Sequence, residues 1–255
     1  MCKVFITARQ IKHKKRKDFM MKKNGFTLAE VLITLSIIGV VATMTLPALM
    51  TNTQEQQAFT GLKKGVNTLT EAAQMSNALA GWDFATAITT PTAVSTKTAD
   101  VQALQTERSF TGLLAQRTSV DFAKGNAVPT DMTTEALKTD YKAVYFKDGT
   151  AVYYKDADVK NTAYAALQND GKPLGYVVYF DTNGTKGPNI VSNCVATPAG
   201  ALVTTSTVNA RTEAASKTKC EAAKNRVLKD IYPLRVRGNS VDPEDYASVY
   251  VLSQK

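Results

Sequence analysis

The clearest hydrophobic pattern in the chain is an apolar run from Phe26 to Leu46. It reads FTLAEVLITLSIIGVVATMTL, 21 residues with a single ionisable side chain, Glu30. As an α-helix the run would rise about 31 Å, which matches the hydrocarbon thickness of a bilayer. It is too long for the hydrophobic region of an ordinary secretory signal. The pattern therefore predicts a membrane-spanning helix over residues 26–46, with a buried helix of a soluble protein as the alternative.

A helical pattern of a different kind follows this run. Apolar residues recur at intervals of three and four from Phe59 to Ala73, with polar residues between them. Such a stripe is typical of a helix that packs on one side against a domain. We therefore predict one long helix over residues 26–80, about 80 Å in length. Because Pro47 removes a backbone hydrogen bond, we expect a helix kink there.

Two glycines, Gly61 and Gly65, interrupt the amphipathic part of this helix. Each lowers helix propensity by about 1 kcal/mol relative to alanine, so each is a candidate point of bending or local melting. Glycine also lets a helix approach a sheet closely, and the sequence leaves these two interpretations open.

Beyond residue 80 the pattern changes to that of β-strands. Residues 81–135 combine short helical pieces with a threonine-rich stretch, and then two strand-like segments, 141–146 and 151–154, flank an Asp-Gly turn. A third strand is predicted at 175–180. The predicted fold class is α+β: a long N-terminal transmembrane-to-amphipathic helix packed on a small antiparallel sheet head domain, residues 81–255.

The net charge of +9 is concentrated at the N-terminus. Residues 1–25 contain nine basic side chains and one acidic side chain, so the rest of the chain is close to neutral. A nucleic-acid interface would need a basic face on the folded domain, and none is predicted. The only histidine, His13, also lies in this segment. A Ser-His-Asp triad, a Cys-His pair and a His-ligated zinc site are therefore excluded from the body, and we predict no enzyme activity.

The basic segment also predicts an orientation. Lys22 and Lys23 immediately precede the apolar run, so the positive-inside rule keeps the N-terminus cytoplasmic and places residues from about 50 onward across the membrane. Glu30 is then a carboxylate inside a membrane segment, which is costly without a partner. No cationic side chain lies one turn away, so we expect its partner to come from another molecule or from a newly created N-terminus; a carboxylate that reaches the headgroups is the alternative.

The residues around Glu30 form a recognisable motif. The stretch KKNGFTLAE from Lys22 to Glu30, followed by VLI, resembles the processing motif of type IV prepilins, a family that includes the pseudopilins of type II secretion and competence pilins. The resemblance implies peptidase cleavage between Gly25 and Phe26 and N-methylation of Phe26. Glu30 then becomes the fifth mature residue and Pro47 matches the family's early helix proline. The resemblance covers about residues 21–80.

This resemblance implies that residues 1–25 are a basic leader absent from the mature protein. A typical family leader would start at Met21, so residues 1–20 are expected to be an over-long start assignment or a longer leader. After cleavage, an ammonium at Phe26 lies four residues before Glu30, and pairing the two charges in a low-dielectric environment would neutralise both. We therefore expect Glu30 to set the register of assembly.

Cysteines number three: Cys2 in the basic segment, and Cys194 and Cys220 in the head. Export would let the last two form a disulfide, worth roughly 3–4 kcal/mol by loop-closure estimates; two buried free thiols are the alternative. In the pilin family, a disulfide-closed C-terminal loop often forms the exposed variable surface, a role that the resemblance implies for this pair.

The segment Asp181-Thr-Asn-Gly184 has two interpretations. Asp181 and Asn183 offer oxygen ligands at alternate positions, as at the start of a calcium loop, and some pseudopilins bind calcium near the end of the sheet. The same residues are those that a tight turn requires, and position 192, where an EF-hand would place its bidentate acid, is Ser. We expect a turn, with calcium as the alternative and no other cofactor.

Together these observations predict a structural subunit of a type IV pilus or a type II secretion pseudopilus. Its expected partners are other pilins or pseudopilins, prepilin peptidase, an inner-membrane assembly platform and membrane lipid. It would start as a single-pass protein of the bacterial inner membrane, with an extracytoplasmic head, and end in the filament. The alternative is a monomeric membrane-anchored binding or sensor domain, in which Glu30 would have no assembly role.

Overall fold

The structure is a computed structural model that describes residues 26–87, 108–132, 134–168, 170–194, 213–222 and 227–254 of the 255-residue chain. The side chains of residues 47–52, 54 and 213 lie outside this description, and so do the leader with Gly25, most of the threonine-rich stretch and most of the loop between Cys194 and Cys220. The chain divides into two units, Met1–Ala48 and Leu49–Lys255.

The described chain contains one long N-terminal helix and several short helices before, between and after the strands. The first, α1, runs continuously from Leu28 to Ala80, so the predicted long helix is confirmed and its helical assignment continues through Pro47. The kink at Pro47 stays a prediction. The remaining α-helices are short: α2 (Phe110–Arg117), α3 (Glu135–Asp140), α4 (Asp156–Val159), α5 (Glu213–Ala222) and α6 (Tyr246–Ser253), with 3-10 turns at Phe122–Lys124 and Thr162–Ala165.

Five antiparallel strands form one sheet in the order in which they occur along the chain. They are β1 (Lys142–Tyr145), β2 (Ala151–Tyr154), β3 (Tyr176–Asp181), β4 (Ile231–Arg237) and β5 (Ser240–Pro243). The predicted hairpin is confirmed: Val144 pairs with Val152 across a turn that contains Gly149 at a φ of 92°. The third strand is also confirmed, and the α+β fold class with it.

The main core lies between the C-terminal part of α1 and one face of the sheet. Leu62, Leu69 and Ala73, from the predicted apolar stripe, are fully buried in the same cluster as Val178 and Phe180 of β3. Burying a leucine, valine or phenylalanine side chain contributes roughly 1.5–3 kcal/mol. A smaller cluster covers the opposite face of the sheet. The sheet is thus packed on both faces, and α1 packs on one of them through its predicted apolar stripe.

The glycines of α1 are explained by this packing. A Cβ built on Gly65 would lie 2.1 Å from Cζ of Phe180, and one on Gly61 would lie 3.0 Å from Cβ of Thr182. The first distance is too short for any side chain, so Gly65 allows the helix to lie directly on the aromatic ring. The close-packing interpretation therefore holds for Gly65, where a Cβ has no room.

An ion pair inside the sheet layer was not predicted. Arg235 of β4 and Glu244, just after β5, are 1% and 2% exposed, and the guanidinium Nε and Nη2 donate to the two carboxylate oxygens at 2.6 and 2.9 Å. Nη1 donates to the carbonyls of Leu174 and Gly175. This bidentate arrangement satisfies both charges, which is the condition under which a buried ion pair is tolerated.

Candidate functional site

The N-terminal half of α1 exposes an apolar surface all round. Residues 28–46 form the one helix of the described chain that is long and apolar enough to cross a membrane, and none of it is buried within the protein. Ile38 is 64% exposed and Met44 77%. A surface of this kind requires an apolar environment, and the length of the segment fits a bilayer.

The helix begins with a reciprocal set of hydrogen bonds between Thr27 and Glu30. The Thr27 backbone N–H and hydroxyl donate to Oε2 of Glu30 at 2.8 and 2.9 Å, and the Glu30 backbone N–H donates to the Thr27 hydroxyl at 3.2 Å. This is a capping box, in which a threonine before the first helical turn and a glutamate three residues later satisfy each other's backbone donors. The T-x-x-E spacing of this capping box is visible in the sequence, although the sequence analysis did not predict the cap.

The capping box gives Glu30 a neutral partner within its own chain, because Thr27 supplies two donors. The expected charged partner, from another molecule or from a new N-terminus, stays a prediction. Thr27 carries no charge, so the carboxylate remains available to an ammonium. Phe26, at the beginning of the described chain, is 88% exposed. Cleavage at Gly25, methylation of Phe26 and an assembly role for Glu30 stay predictions.

Cys194 and Cys220 form a disulfide in the head, with their Cα atoms 4.7 Å apart. Both are buried: Cys194 lies at the end of the described segment that follows β3, and Cys220 lies in helix α5. The predicted pairing is confirmed, and the free-thiol alternative is excluded. The loop that the bridge closes lies largely outside the described residues.

Asp181 and Asn183 form the turn that ends β3. Asp181 Oδ1 accepts the backbone N–H groups of Asn183 and Gly184 at 3.0 and 2.9 Å, and Oδ2 accepts the Tyr153 hydroxyl at 2.6 Å. Gly184 has a φ of 67°, which such a turn needs. The tight-turn interpretation fits this geometry. Burial raises the pKa of Asp181 to about 7, although these hydrogen bonds oppose the shift.

Calcium binding at this turn stays a prediction. Both carboxylate oxygens of Asp181 already accept hydrogen bonds, while Oδ1 of Asn183 is buried and has no hydrogen-bond partner in the structure. Within the described ranges, no three His, Cys, Asp or Glu side chains come together in a group that could hold a metal ion. Asn183 Oδ1 is thus a buried side-chain oxygen of this turn that has no hydrogen-bond partner among the described residues.

The comparisons with known proteins identify the N-terminal segment. Residues 20–46 match the family model of the prokaryotic N-terminal methylation motif. This motif is the signature of type IV pilins and pseudopilins. No curated protein and no solved structure matches the chain. The match therefore covers Lys22 and Lys23 before the helix and the exposed apolar part of α1, and it does not extend into the head.

Proposed function

We propose that this prepilin-like chain is a filament subunit. A prepilin peptidase cuts it between Gly25 and Phe26 and methylates the new amino group of Phe26. The mature chain then assembles into the filament. The observation that carries the proposal is the match to the methylation motif over residues 20–46, on a helix whose apolar surface is entirely exposed. The machine is a type IV pilus or a type II secretion pseudopilus.

Charge is the first argument for assembly through α1. Cleavage leaves an ammonium at Phe26, one helical turn before Glu30. In an apolar filament core, each of these charges would be costly alone, and pairing them between neighbouring subunits neutralises both. The capping box holds the carboxylate at the start of the helix, at the same level as the new N-terminus.

Shape is the second argument. Assembly replaces lipid by neighbouring helices, and small residues let helix backbones approach closely. Ala29, Ser36, Gly39 and Ala42 supply such positions, and a Cβ on Gly39 would have no neighbour within 4 Å. The exposed apolar surface of α1 is thus suited first to lipid and then to other subunits of the same kind.

The proposed location follows from the same segment. Lys22 and Lys23 keep the leader in the cytoplasm, the apolar helix spans the bacterial inner membrane once, and the head is extracytoplasmic. The confirmed disulfide supports an oxidising compartment for the head. The proposed partners are prepilin peptidase, an inner-membrane assembly platform, and other pilins or pseudopilins.

The function proposed is structural, as it is for proteins with this motif, and the chain is a substrate of an enzyme rather than an enzyme. A monomeric membrane-anchored binding or sensor domain is the second candidate. It would need the same helix and membrane orientation, but it would not need the negative charge of Glu30.

Two matched variants separate the charge of Glu30 from its role in the capping box. Glu30→Gln keeps a side-chain acceptor for Thr27, as a glutamine in a capping box does, but removes the charge. Thr27→Val removes the hydroxyl and keeps the charge. Both should be cleaved, as seen by the electrophoretic mobility of the membrane-extracted chain.

Filaments are then counted by electron microscopy of sheared preparations from cells that express each variant. We expect Glu30→Gln to abolish filaments that contain this subunit and Thr27→Val to retain them. Normal assembly of Glu30→Gln would refute the assembly role of the charge. Loss of assembly in Thr27→Val alone would show that the cap, and not the charge, is what matters.

A further inference from the structure

A cavity of about 220 Å³ opens in the head between four elements: α1, the end of α2, the β1–β2 turn and β3. Its apolar wall includes Leu69, Phe146 and Phe180, and its polar wall includes side chains from α1, the end of α2 and the turn. Drug-sized ligands occupy pockets of about 300–1,000 Å³, so this cavity fits a smaller molecule. A lining that contains both apolar and charged groups favours a ligand with one apolar and one charged end.

The acidic side chain of the cavity is already neutralised. Asp148 Oδ2 accepts from Nζ of Lys64 at 2.8 Å, and Oδ1 accepts from the backbone N–H and hydroxyl of Thr150 at 3.0 and 2.7 Å. Burial raises the pKa of Asp148, but the hydrogen bonds from Lys64 and Thr150 outweigh it, so the pKa is lowered overall. Lys64 and Asp148 therefore contribute no net charge to the lining.

Arg117 is the other cation of this cavity, and among the described residues no carboxylate forms an ion pair with it. It occupies the last turn of α2 and lines the cavity next to Thr118 and Ser119. Its Nε is buried, and in the described part of the chain that nitrogen has no hydrogen-bond partner. A buried donor without an acceptor costs free energy, and more so when it carries charge. An acceptor supplied by a ligand would remove this cost.

We propose that this cavity binds a small organic monocarboxylate, whose carboxylate accepts from the Arg117 guanidinium while its apolar end packs on Phe146 and Phe180. The planar guanidinium matches a carboxylate in geometry. The lining carries one unmatched positive charge, so it suits a monoanion better than a phosphate with close to two negative charges. An inorganic ion would also leave the apolar part of the lining without a contact.

The site is independent of the filament proposal, because it uses none of the residues of the methylation motif. It is tested on the full chain in detergent micelles by isothermal titration calorimetry. The probes are 3-phenylpropionate, its uncharged analogue 3-phenylpropionamide, and inorganic phosphate. We expect the acid to bind and the amide to bind about 10- to 100-fold more weakly, the range that corresponds to one charged hydrogen-bond contact.

Two variants locate the binding. Arg117→Gln should lower the affinity for 3-phenylpropionate by the same factor, whereas Lys160→Gln, a control that removes one exposed positive charge elsewhere in the head, should leave it unchanged. Circular dichroism of both variants checks that the fold is kept, and the acid–amide comparison on the unaltered chain does not depend on a variant. Equal binding of acid and amide, no binding of the acid, tighter binding of phosphate, or an unchanged affinity in Arg117→Gln would each overturn the proposal.

Discussion

Replacing Gly65 by alanine tests the packing of α1 against the sheet. The added methyl group would lie 2.1, 2.4 and 2.5 Å from Cζ, Cε1 and Cε2 of Phe180. Phe180 is only 2% exposed and lies within the main core, but its ring also lines the cavity described above. Relieving the contact therefore requires the ring to turn toward this cavity, or the helix or the strand to shift.

The expected cost combines two opposing effects. Inserting a methyl group into a well-packed core costs typically 1–3 kcal/mol, and the closeness of this contact favours the upper end. Alanine gains about 1 kcal/mol over glycine in a helix interior. The net effect of Gly65→Ala should be a loss of about 2 kcal/mol in the free energy of unfolding.

Gly61→Ala is the matched control, one turn earlier on the same helix. Its Cβ would approach Thr182 Cβ at 3.0 Å, and Thr182 is only partly buried, so a small movement can relieve the contact. The helix-propensity gain is the same, and the net change should stay within about 1 kcal/mol of zero.

Urea unfolding of the full chain in micelles measures both variants. The fluorescence of Trp82, the single tryptophan, reports on the core because its side chain is 8% exposed. Gly65→Ala should lower the urea midpoint by about 1 M for a slope near 2 kcal/mol per M. Combining it with Phe180→Leu should reduce the penalty, as expected for two groups in contact. A Gly65→Ala chain as stable as Gly61→Ala would refute the close-packing account.

Three further predictions concern the head. Replacing Cys194 and Cys220 by alanine should lower the free energy of unfolding by about 3–4 kcal/mol, measured by the same urea titration. Because the pKa of Asp181 is raised to about 7 in the folded state, the folded chain holds this proton more tightly than the unfolded chain. The free energy of unfolding should therefore fall as the pH rises from about 4 to 7. Asp181→Asn should remove this dependence in urea unfolding measured across that pH range. Glu244→Ala leaves the Arg235 charge buried alone and should cost about 3–5 kcal/mol in thermal or urea unfolding, whereas a loss below 1 kcal/mol would contradict the geometry of the pair.

The parts of the fold that local patterns specify could be predicted from the sequence. The Asp148–Gly149 turn between two β-rich segments gave the hairpin, and the apolar stripe of α1 gave the face that packs on the sheet. Strand β4 (Ile231–Arg237) was not predicted. It contains a proline and two arginines, and all seven residues are buried. These charges are tolerated because Glu244 pairs with Arg235 and Asp170 pairs with Arg237, contacts that no local pattern indicates.

The candidate sites also divide into one that a contiguous motif predicts and one that only the tertiary fold assembles. The methylation motif is contiguous, so Gly25, Phe26 and Glu30 could be selected from the sequence, and the Thr27 cap could have been selected with them from its spacing. The cavity beside Arg117 could not, because its walls come from four elements that only the tertiary fold brings together. An arginine near the end of a short helix carries no signal of its own.

The N-terminal sequence of the mature protein tests the central claim most directly. Mass spectrometry of the N-terminal peptide, from the full chain extracted from membranes of a cell that has prepilin peptidase, gives both the first residue and its modification. The account predicts that the peptide begins at Phe26 and that its amino group carries a methyl group. A mature chain that retains residues before Phe26, or that begins at any other position, would contradict it.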